Sequence, residues 1–340
     1  MPLAPEKHFK SLLYDEIKSL DRPVSDDEIR NICLHLFECY SSSYTQLLEG
    51  KHLDKIESQK EMNFRFCEQN YKRWRPAFDL LHIIISISIE TGSIFCDNFK
   101  IKVNEENRVL FDVMLRLHAR ACMTANEVLC LLESGFPDGA FARWRALHEI
   151  AVIGLFIVAR GNECAKSYRD HAAIGKYLHM KAHDSYKLKL KAPGPTEEQL
   201  ENAERRFKIL KERYGKGFDK DYGWAGPFLG LKDNNNVRFN EIEKVVKLDQ
   251  MRPYYRWASQ VVHPCSTGTY EQMGLLETDE DIILTGRSDG GMIVPSHSLA
   301  ISLSQVVLAL LRVDNNLEIY MSMTVLDHLN EKLGEELHRC

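Results

Sequence analysis

The apolar residues of this chain recur every three or four positions along most of its length, a spacing that predicts α-helices. Segments with this pattern, or with runs of strong helix formers, lie near residues 6–20, 25–48, 53–90, 105–134, 137–160, 163–191, 197–214, 239–248, 253–263 and 296–332. Two short β-rich runs joined by a Gly-containing turn lie within residues 281–295. We therefore predict an all-α multi-helix bundle with one small β-hairpin insertion near residues 281–295.

The chain length of 340 residues suits two domains or one large helical domain. From the distribution of the predicted helices, we expect an N-terminal helical region over residues 1–100. A larger helical bundle is predicted over residues 105–332.

Three helix ends can be located from residue types. Ser25 and Glu28 have the spacing of a capping box, in which each side chain binds the other residue's backbone N–H. Gly135 followed by Pro137 predicts that one helix ends and the next begins there. Thr196 follows a Pro- and Gly-rich break and is the candidate N-cap of the next helix.

Composition and charge exclude several classes of protein. Apolar residues make up 44% and charged residues 27%, which is enough for a sizeable core and unlike a disordered chain. The net charge of −5 means that any nucleic-acid contact requires a local basic patch. The nine cysteines include no C-x-x-C pair, the N-terminal residues lack an apolar signal core, and the longest apolar runs are about half a membrane span. We expect a cytoplasmic protein without membrane contact.

Common catalytic and nucleotide-binding motifs are missing from the sequence. There is no G-x-G-x-x-G after a strand, no P-loop and no G-x-S-x-G elbow, and the H-E-x-x-H pattern that begins at His148 fails because position 152 is Val152. His179 and His183 have the i,i+4 spacing of metal ligands, with His171 two turns earlier. Without an identified further ligand, exposed helical histidines are the favoured interpretation, and we expect no metal and no cofactor.

A cluster of charged side chains precedes the most apolar helix. Residues 150–159 are apolar all round, which predicts a helix buried on every side. Just upstream, Arg145, His148 and Glu149 share one helix face. Two interpretations stay open: a surface ion pair between Arg145 and Glu149, or a polar cleft inside the protein, where buried charges must be paired.

A second polar stripe lies on the predicted helix 253–263. Arg256, Ser259 and His263, together with Arg252, lie opposite an apolar face. That face is predicted to consist of Tyr254, Trp257, Ala258, Val261 and Val262. Because a proline follows His263, the helix should end at that residue. The alternative to a functional stripe is an ordinary solvated face.

The acidic chain contains one basic region. Between Lys176 and Lys220 there are twelve Lys or Arg residues against seven Asp or Glu. The candidate RNA-binding residues are Lys176, Lys181, Lys187, Arg205 and Arg206. A solvated helical hairpin is the alternative to a surface that attracts phosphates.

Two motifs carry a resemblance to known proteins. The stretch from Phe141 to Glu149, with Tyr168 and the later Tyr255-x-x-x-Ser259-x-x-x-His263, resembles a bacterial family of uncharacterised helical proteins over roughly residues 105–315. The region 105–332 is also loosely similar to HEPN domains, which include ribonucleases of toxin–antitoxin and antiviral defence systems and carry an Arg-x(4–6)-His motif. The resemblance implies a homodimer.

Two functions from different classes follow from these observations. The first is a metal-independent HEPN-like ribonuclease with the catalytic candidates Arg145, His148, Glu149, Arg256, Ser259 and His263. The second is a non-catalytic sensor or protein-interaction module in which the Arg, Glu and His residues form a structural network. These hypotheses imply RNA, or a protein encoded nearby, as the partner. We also expect His263 to lie within reach of Arg145 and Glu149.

Overall fold

The computed structural model describes residues 5–230, 237–263, 265–278, 282–314 and 317–340. Within these residues the protein is all-α, with twelve α-helices and no β-strand, so the predicted fold class is confirmed. The helices are α1 (Pro5–Ser19), α2 (Asp26–Phe99), α3 (Arg108–Glu133), α4 (Pro137–Arg160), α5 (Asn162–Leu190), α6 (Glu197–Tyr214), α7 (Gly226–Leu229), α8 (Phe239–Val245), α9 (Arg252–Val262), α10 (Ser266–Tyr270), α11 (Ile293–Leu311) and α12 (Leu317–Leu337).

The chain divides into two compact units, Met1–Glu68 and Gln69–Cys340. In the first unit the ring of Phe9 packs 5.9 Å from the ring of Phe37, which joins α1 to α2. The second unit contains the large core and all of the polar clusters described below. The predicted domain boundary near residues 100–105 stays a prediction.

Helix α4 is the centre of the larger unit. It packs against α3, α5, α8, α9 and α11. Phe156 and Leu155 are 0% and 7% exposed, so the predicted burial of this helix is confirmed. Trp144 is also inaccessible, and its indole N–H donates to Ser302 Oγ of α11 over 2.9 Å. A helix that is apolar on all sides must be covered on all sides.

The junction that leads into α4 ends α3 in a Schellman motif. The N–H of Phe136 donates to Leu131 O at 2.8 Å, and that of Gly135 donates to Leu132 O at 2.9 Å. Gly135 has a φ of 80°, a left-handed conformation that favours glycine. Pro137 then occupies the first turn of α4, as predicted.

The two predicted helix N-caps are also present. The Ser25 N–H donates to Glu28 Oε2 at 3.0 Å and the Glu28 N–H donates to Ser25 Oγ at 3.4 Å. Hydrogen bonds from Arg22 and from Ser25 lower the pKa of Glu28 to about 2. Thr196 caps α6, and Gln199 completes its capping box.

Two helix boundaries differ from the predicted ones. The segments predicted near 25–48 and 53–90 form the single helix α2, because one glycine, Gly50, is tolerated inside a long helix at a cost of about 1 kcal/mol. The helix predicted over 296–332 is instead α11 followed by α12. Asp314 lies between them, and Asp favours turns over helix interiors.

The predicted β-hairpin at 281–295 is wrong. Asp281 lies outside the described residues, residues 282–292 form no strand, and α11 begins at Ile293. The backbone of this segment binds other elements: Ser288 N–H donates to Gly135 O at 2.9 Å, and Gly291 N–H donates to Glu277 Oε1 at 2.9 Å. Since these donors already have partners, no second strand is needed to satisfy them.

Two of the described helices, α2 and α11, are long and apolar enough to cross a membrane by length and composition. Two thirds of the apolar window of α11 is buried inside the protein, where it packs on α3 and α4. That burial is what a core helix requires. The absence of membrane contact, expected from the sequence, stays a prediction.

The packing of α4 gives a testable expectation at Gly154. A Cβ on Gly154 would lie 3.4 Å from Met114 Cε and 3.6 Å from Ala309 Cβ, so an alanine methyl is in ordinary contact and a longer side chain has to displace these neighbours. We expect Gly154→Leu to lower the free energy of unfolding by about 1–3 kcal/mol or more through overpacking. The control Gly175→Leu, at a helical glycine with open space around it, should not lower it. Urea denaturation measures both, and equal effects would contradict this packing.

A second expectation concerns pH. Burial lowers the pKa of His118 to about 4, because the ring is only 5% exposed. The unfolded chain takes up that proton near pH 6.5, whereas the folded chain keeps the ring neutral. The unfolding free energy should therefore fall as the pH drops from about 6.5 to 4, by on the order of 3 kcal/mol. In His118→Leu this part of the pH dependence should vanish, while in the exposed control His52→Leu it should remain.

Candidate functional site on helices α4, α8 and α9

The predicted polar face of α4 is turned toward α8 and α9. Arg145 Nε lies 3.3 Å from Glu149 Oε1, which is the predicted i,i+4 ion pair. The two side chains are 30% and 28% exposed, so the pair lies at the edge of the protein. It is neither a free surface pair nor a fully buried one.

A second, fully buried pair lies beside it. His148 Nε2 lies 3.1 Å from Glu243 Oε1 of α8, and neither side chain is exposed to solvent. The other carboxylate oxygen of Glu243 forms an ion pair with Arg252 Nη2 of α9 at 2.9 Å. The Nδ1 atom of His148 has no hydrogen-bond partner among the described residues. One carboxylate thus links three helices.

Tyr255 of α9 contacts both the Arg145–Glu149 pair and Arg252, the partner of Glu243. Its hydroxyl donates to Glu149 Oε1 at 2.6 Å. The guanidinium groups of Arg145 and Arg252 lie 4.9 Å and 5.3 Å from its ring centre, within the range of cation–π attraction. Burial, followed by the hydrogen bond to Glu149, raises the pKa of Tyr255. Burial and the nearby Glu149 also raise the pKa of Tyr222 to about 12, so both phenols stay protonated donors at neutral pH.

We call these six side chains the α4 network: Arg145, His148, Glu149, Glu243, Arg252 and Tyr255. The network contains two guanidiniums and two carboxylates, so its charges are matched apart from the imidazole. Its buried half is closed to solvent and cannot touch a substrate in this conformation. Chemically, the network fixes α8 and α9 on α4, and it leaves Arg145, Glu149 and Arg252 partly accessible at the rim.

The other catalytic candidates lie on the outer side of α9. Arg256 and His263 are exposed, and Ser259 Oγ donates to Tyr255 O at 2.7 Å within the helix. Helix α9 ends at Val262, and His263 has the extended backbone expected before a proline. Within the described residues, no hydrogen bond or ion pair joins the His263 side chain to the α4 network. The structure therefore shows no direct contact of this kind between His263 and Arg145 or Glu149, and their being within reach through a water stays a prediction.

The predicted core face of α9 is partly wrong. Tyr254 and Val262 are 42% and 47% exposed, whereas Tyr255 and Ala258 are buried. Trp257 does pack against the core, with its ring 5.4 Å from that of Phe141. The helix is rotated from the expected orientation because the Tyr255 hydroxyl faces inward to bind Glu149.

Glu243 is the functional residue that sequence reasoning missed. One signal was present: Glu243 is four residues after Phe239 and one after Ile242, both of which are buried. A carboxylate on an apolar helix face requires a buried partner. The identity of that partner could not be read from spacing, because His148 is 95 positions away along the chain.

All five candidate RNA-binding residues lie exposed on α5 and α6, which pack against each other through Tyr177 and Phe207. Lys187 pairs with Asp184 at 2.9 Å, and Arg206 pairs with Asp170 at 3.2 Å. The predicted basic surface therefore exists on these two helices. Its binding to RNA stays a prediction.

The histidines that could have formed a metal site do not converge. His171 donates from Nε2 to Lys220 O at 2.9 Å, and the rings of His179 and His183 lie 6.5 Å apart. Among the described residues there is no group of three or more His, Cys, Asp or Glu side chains that could hold a metal ion.

The α4 network predicts unequal costs of substitution. Glu243→Ala should lower the free energy of unfolding by about 3–5 kcal/mol, because it removes the buried carboxylate that His148 and the Arg252 guanidinium share. Glu149→Ala, in the partly exposed pair, should cost only about 1 kcal/mol.

In a double-mutant cycle, His148→Leu with Glu243→Leu should cost less than the sum of the single substitutions. Additive costs in urea denaturation would contradict the pairing.

Comparison with known proteins identifies a family but no activity. No curated protein and no solved structure matches the chain. Residues 111–282, just over half of the chain, match the family of unknown function DUF5677. This region contains the whole α4 network and the exposed stripe of α9. The chain therefore belongs to the DUF5677 family, as an all-α member whose matched region carries these two groups of polar residues.

Proposed function

We propose that the protein is a metal-independent, HEPN-like endoribonuclease of bacterial defence or growth arrest, with Arg256 and His263 at the reacting phosphate. The observation that supports this is the availability of the two side chains: both are exposed, and neither forms a hydrogen bond or an ion pair within the described residues. Residues seven positions apart on a helix point in nearly the same direction. The N–H of His263 still bonds to Ser259 O, at 3.3 Å, so this geometry extends close to the helix end.

The chemistry that we propose uses no group beyond the chain and its substrate. The ribose 2′-oxygen attacks phosphorus, the bond from phosphorus to the 5′-oxygen breaks, and the products carry a 2′,3′-cyclic phosphate and a 5′-hydroxyl. His263 takes the proton of the 2′-hydroxyl or delivers one to the leaving oxygen. Arg256 stabilises the negative charge that gathers on the phosphate.

The remaining candidates have supporting roles in this proposal. Glu149 holds Tyr255 and so positions α9, while Arg145 and His148 belong to the network on which α9 rests. Ser259 lies between Arg256 and His263 along the stripe. Lys176, Lys181, Lys187, Arg205 and Arg206 contact the RNA backbone, and this contact should weaken as salt is raised.

The experiment is cleavage of a labelled single-stranded RNA in excess EDTA. Wild-type protein should cut it, and His263→Ala should be at least about 100-fold slower, because acid–base catalysis contributes about 10²–10⁴. Arg256→Ala should also be slow, whereas His328→Ala, at another exposed histidine, should match wild type. All three variants should keep the melting temperature of wild type, and an oligonucleotide with 2′-deoxy sugars should not be cut. Activity that survives in His263→Ala would disprove this role.

A second candidate function is favoured by the burial of His148 and Glu243. Acid–base groups with no exposure to solvent suit a network that stabilises a non-catalytic sensor or protein-interaction module. In that case RNA stays intact in the same assay, and substitutions in the α4 network change stability alone. The partner would be a ligand or a protein encoded nearby. Analytical ultracentrifugation of the full chain tests the homodimer that the resemblance implies.

A further inference from the structure

A cavity of about 670 Å³ lies between α5 and α6, apart from the α4 network. Volumes of about 300–1,000 Å³ are typical of small-molecule sites. The side chains that line it include Lys176, Arg206, His179 and His183. None of its described lining residues is Asp or Glu. The cavity is therefore suited to an anionic ligand.

The positive charge is concentrated at one end of this cavity. The rings of Tyr177 and Phe207 lie 4.7 Å apart, so these residues are at the same level of the two antiparallel helices. Lys176 and Arg206, each one position earlier, lie at nearly that level as well. An ammonium and a guanidinium thus line the same end of the cavity.

Arg206 is held in place by a buried carboxylate. Asp170 is 5% exposed, and its oxygens lie 3.2 Å from Arg206 and 3.7 Å from Arg213. Arg169 lies 3.9 Å away, and the hydroxyl of Tyr214 donates to Asp170 at 2.9 Å. Because Asp170 is shared among three guanidiniums, it offsets only part of the charge of Arg206, and Lys176 adds a second positive charge at this end of the cavity.

The other end of the cavity is less charged and more apolar. Met180, Pro193 and Pro195 line it together with His183. Lys176 and His183 are seven positions apart on the helix, which is about 10 Å along the axis. This is close to the length of a nucleoside monophosphate.

We propose that this cavity binds a mononucleotide. The phosphate lies between Lys176 and Arg206, and the base lies against Met180 and the two prolines. The imidazole of His183, which lines the cavity, makes a hydrogen bond to the edge of the base. Phosphates pair readily with lysine and arginine. This site does not rest on the catalytic roles of Arg256 and His263, although it shares Lys176 and Arg206 with the surface proposed to contact RNA.

Isothermal titration calorimetry of the full chain with AMP tests the site, with adenosine, inorganic phosphate and an oligoadenylate RNA as comparisons. AMP should bind more tightly than either phosphate or adenosine. Lys176→Gln should weaken AMP binding at least tenfold. The controls Lys189→Gln and Lys208→Gln each remove one positive charge from α5 and α6 outside the cavity lining and should change AMP binding less than twofold.

A second variant separates the two ends of the cavity. His183→Leu should weaken the binding of AMP and leave that of inorganic phosphate unchanged. His263→Ala should bind AMP like wild type, so failure of the ribonuclease proposal and failure of this one are distinguishable. The proposal is overturned if AMP does not bind, if inorganic phosphate binds as tightly as AMP, or if only the RNA binds. It is also overturned if the control substitutions weaken the binding of AMP as much as Lys176→Gln does.

Discussion

The burial of helix α4 on every side imposes a requirement that the surrounding helices must meet. His148 lies on this helix without any exposure to solvent, and a buried imidazole needs a hydrogen-bond partner. Glu243 of α8 supplies it, and because this carboxylate is itself buried, it needs the charge of Arg252 at the start of α9. The positions of α8 and α9 on α4 follow from this chain of pairings as much as from apolar contact.

Helix α9 therefore has two different polar sides. Its inner side presents Tyr255 to Glu149 and is fixed, while its outer side presents Arg256 and His263 to solvent. A helix that is held by such contacts suits catalysis, because groups fixed in place lose little freedom when a substrate binds. The same fixation suits a stable docking surface, so the α4 network supports either of the two candidate functions.

The charged residues of α5 and α6 also have two roles: some stabilise the fold, and others are available to bind a ligand. The overall charge is negative, yet α5 and α6 gather many lysines and arginines around a cavity without a lining carboxylate in its described residues. The buried Asp170 pairs with both Arg206 and Arg213, so it orients Arg206 and offsets only part of the charge of the two guanidiniums. Carboxylates inside the protein thus position the cations, and the cations face the solvent.

The sequence by itself determined what depends on neighbouring residues along the chain. Helix periodicity, the stop at Gly135, the cap at Thr196 and the pair between Arg145 and Glu149 all follow from spacing within one turn or two. Only the tertiary structure decided that His148 pairs with Glu243, that Tyr255 faces inward, and that residues 282–292 form an irregular segment. Those outcomes depend on which distant groups satisfy each buried donor and acceptor, and local sequence spacing carries no information about that choice.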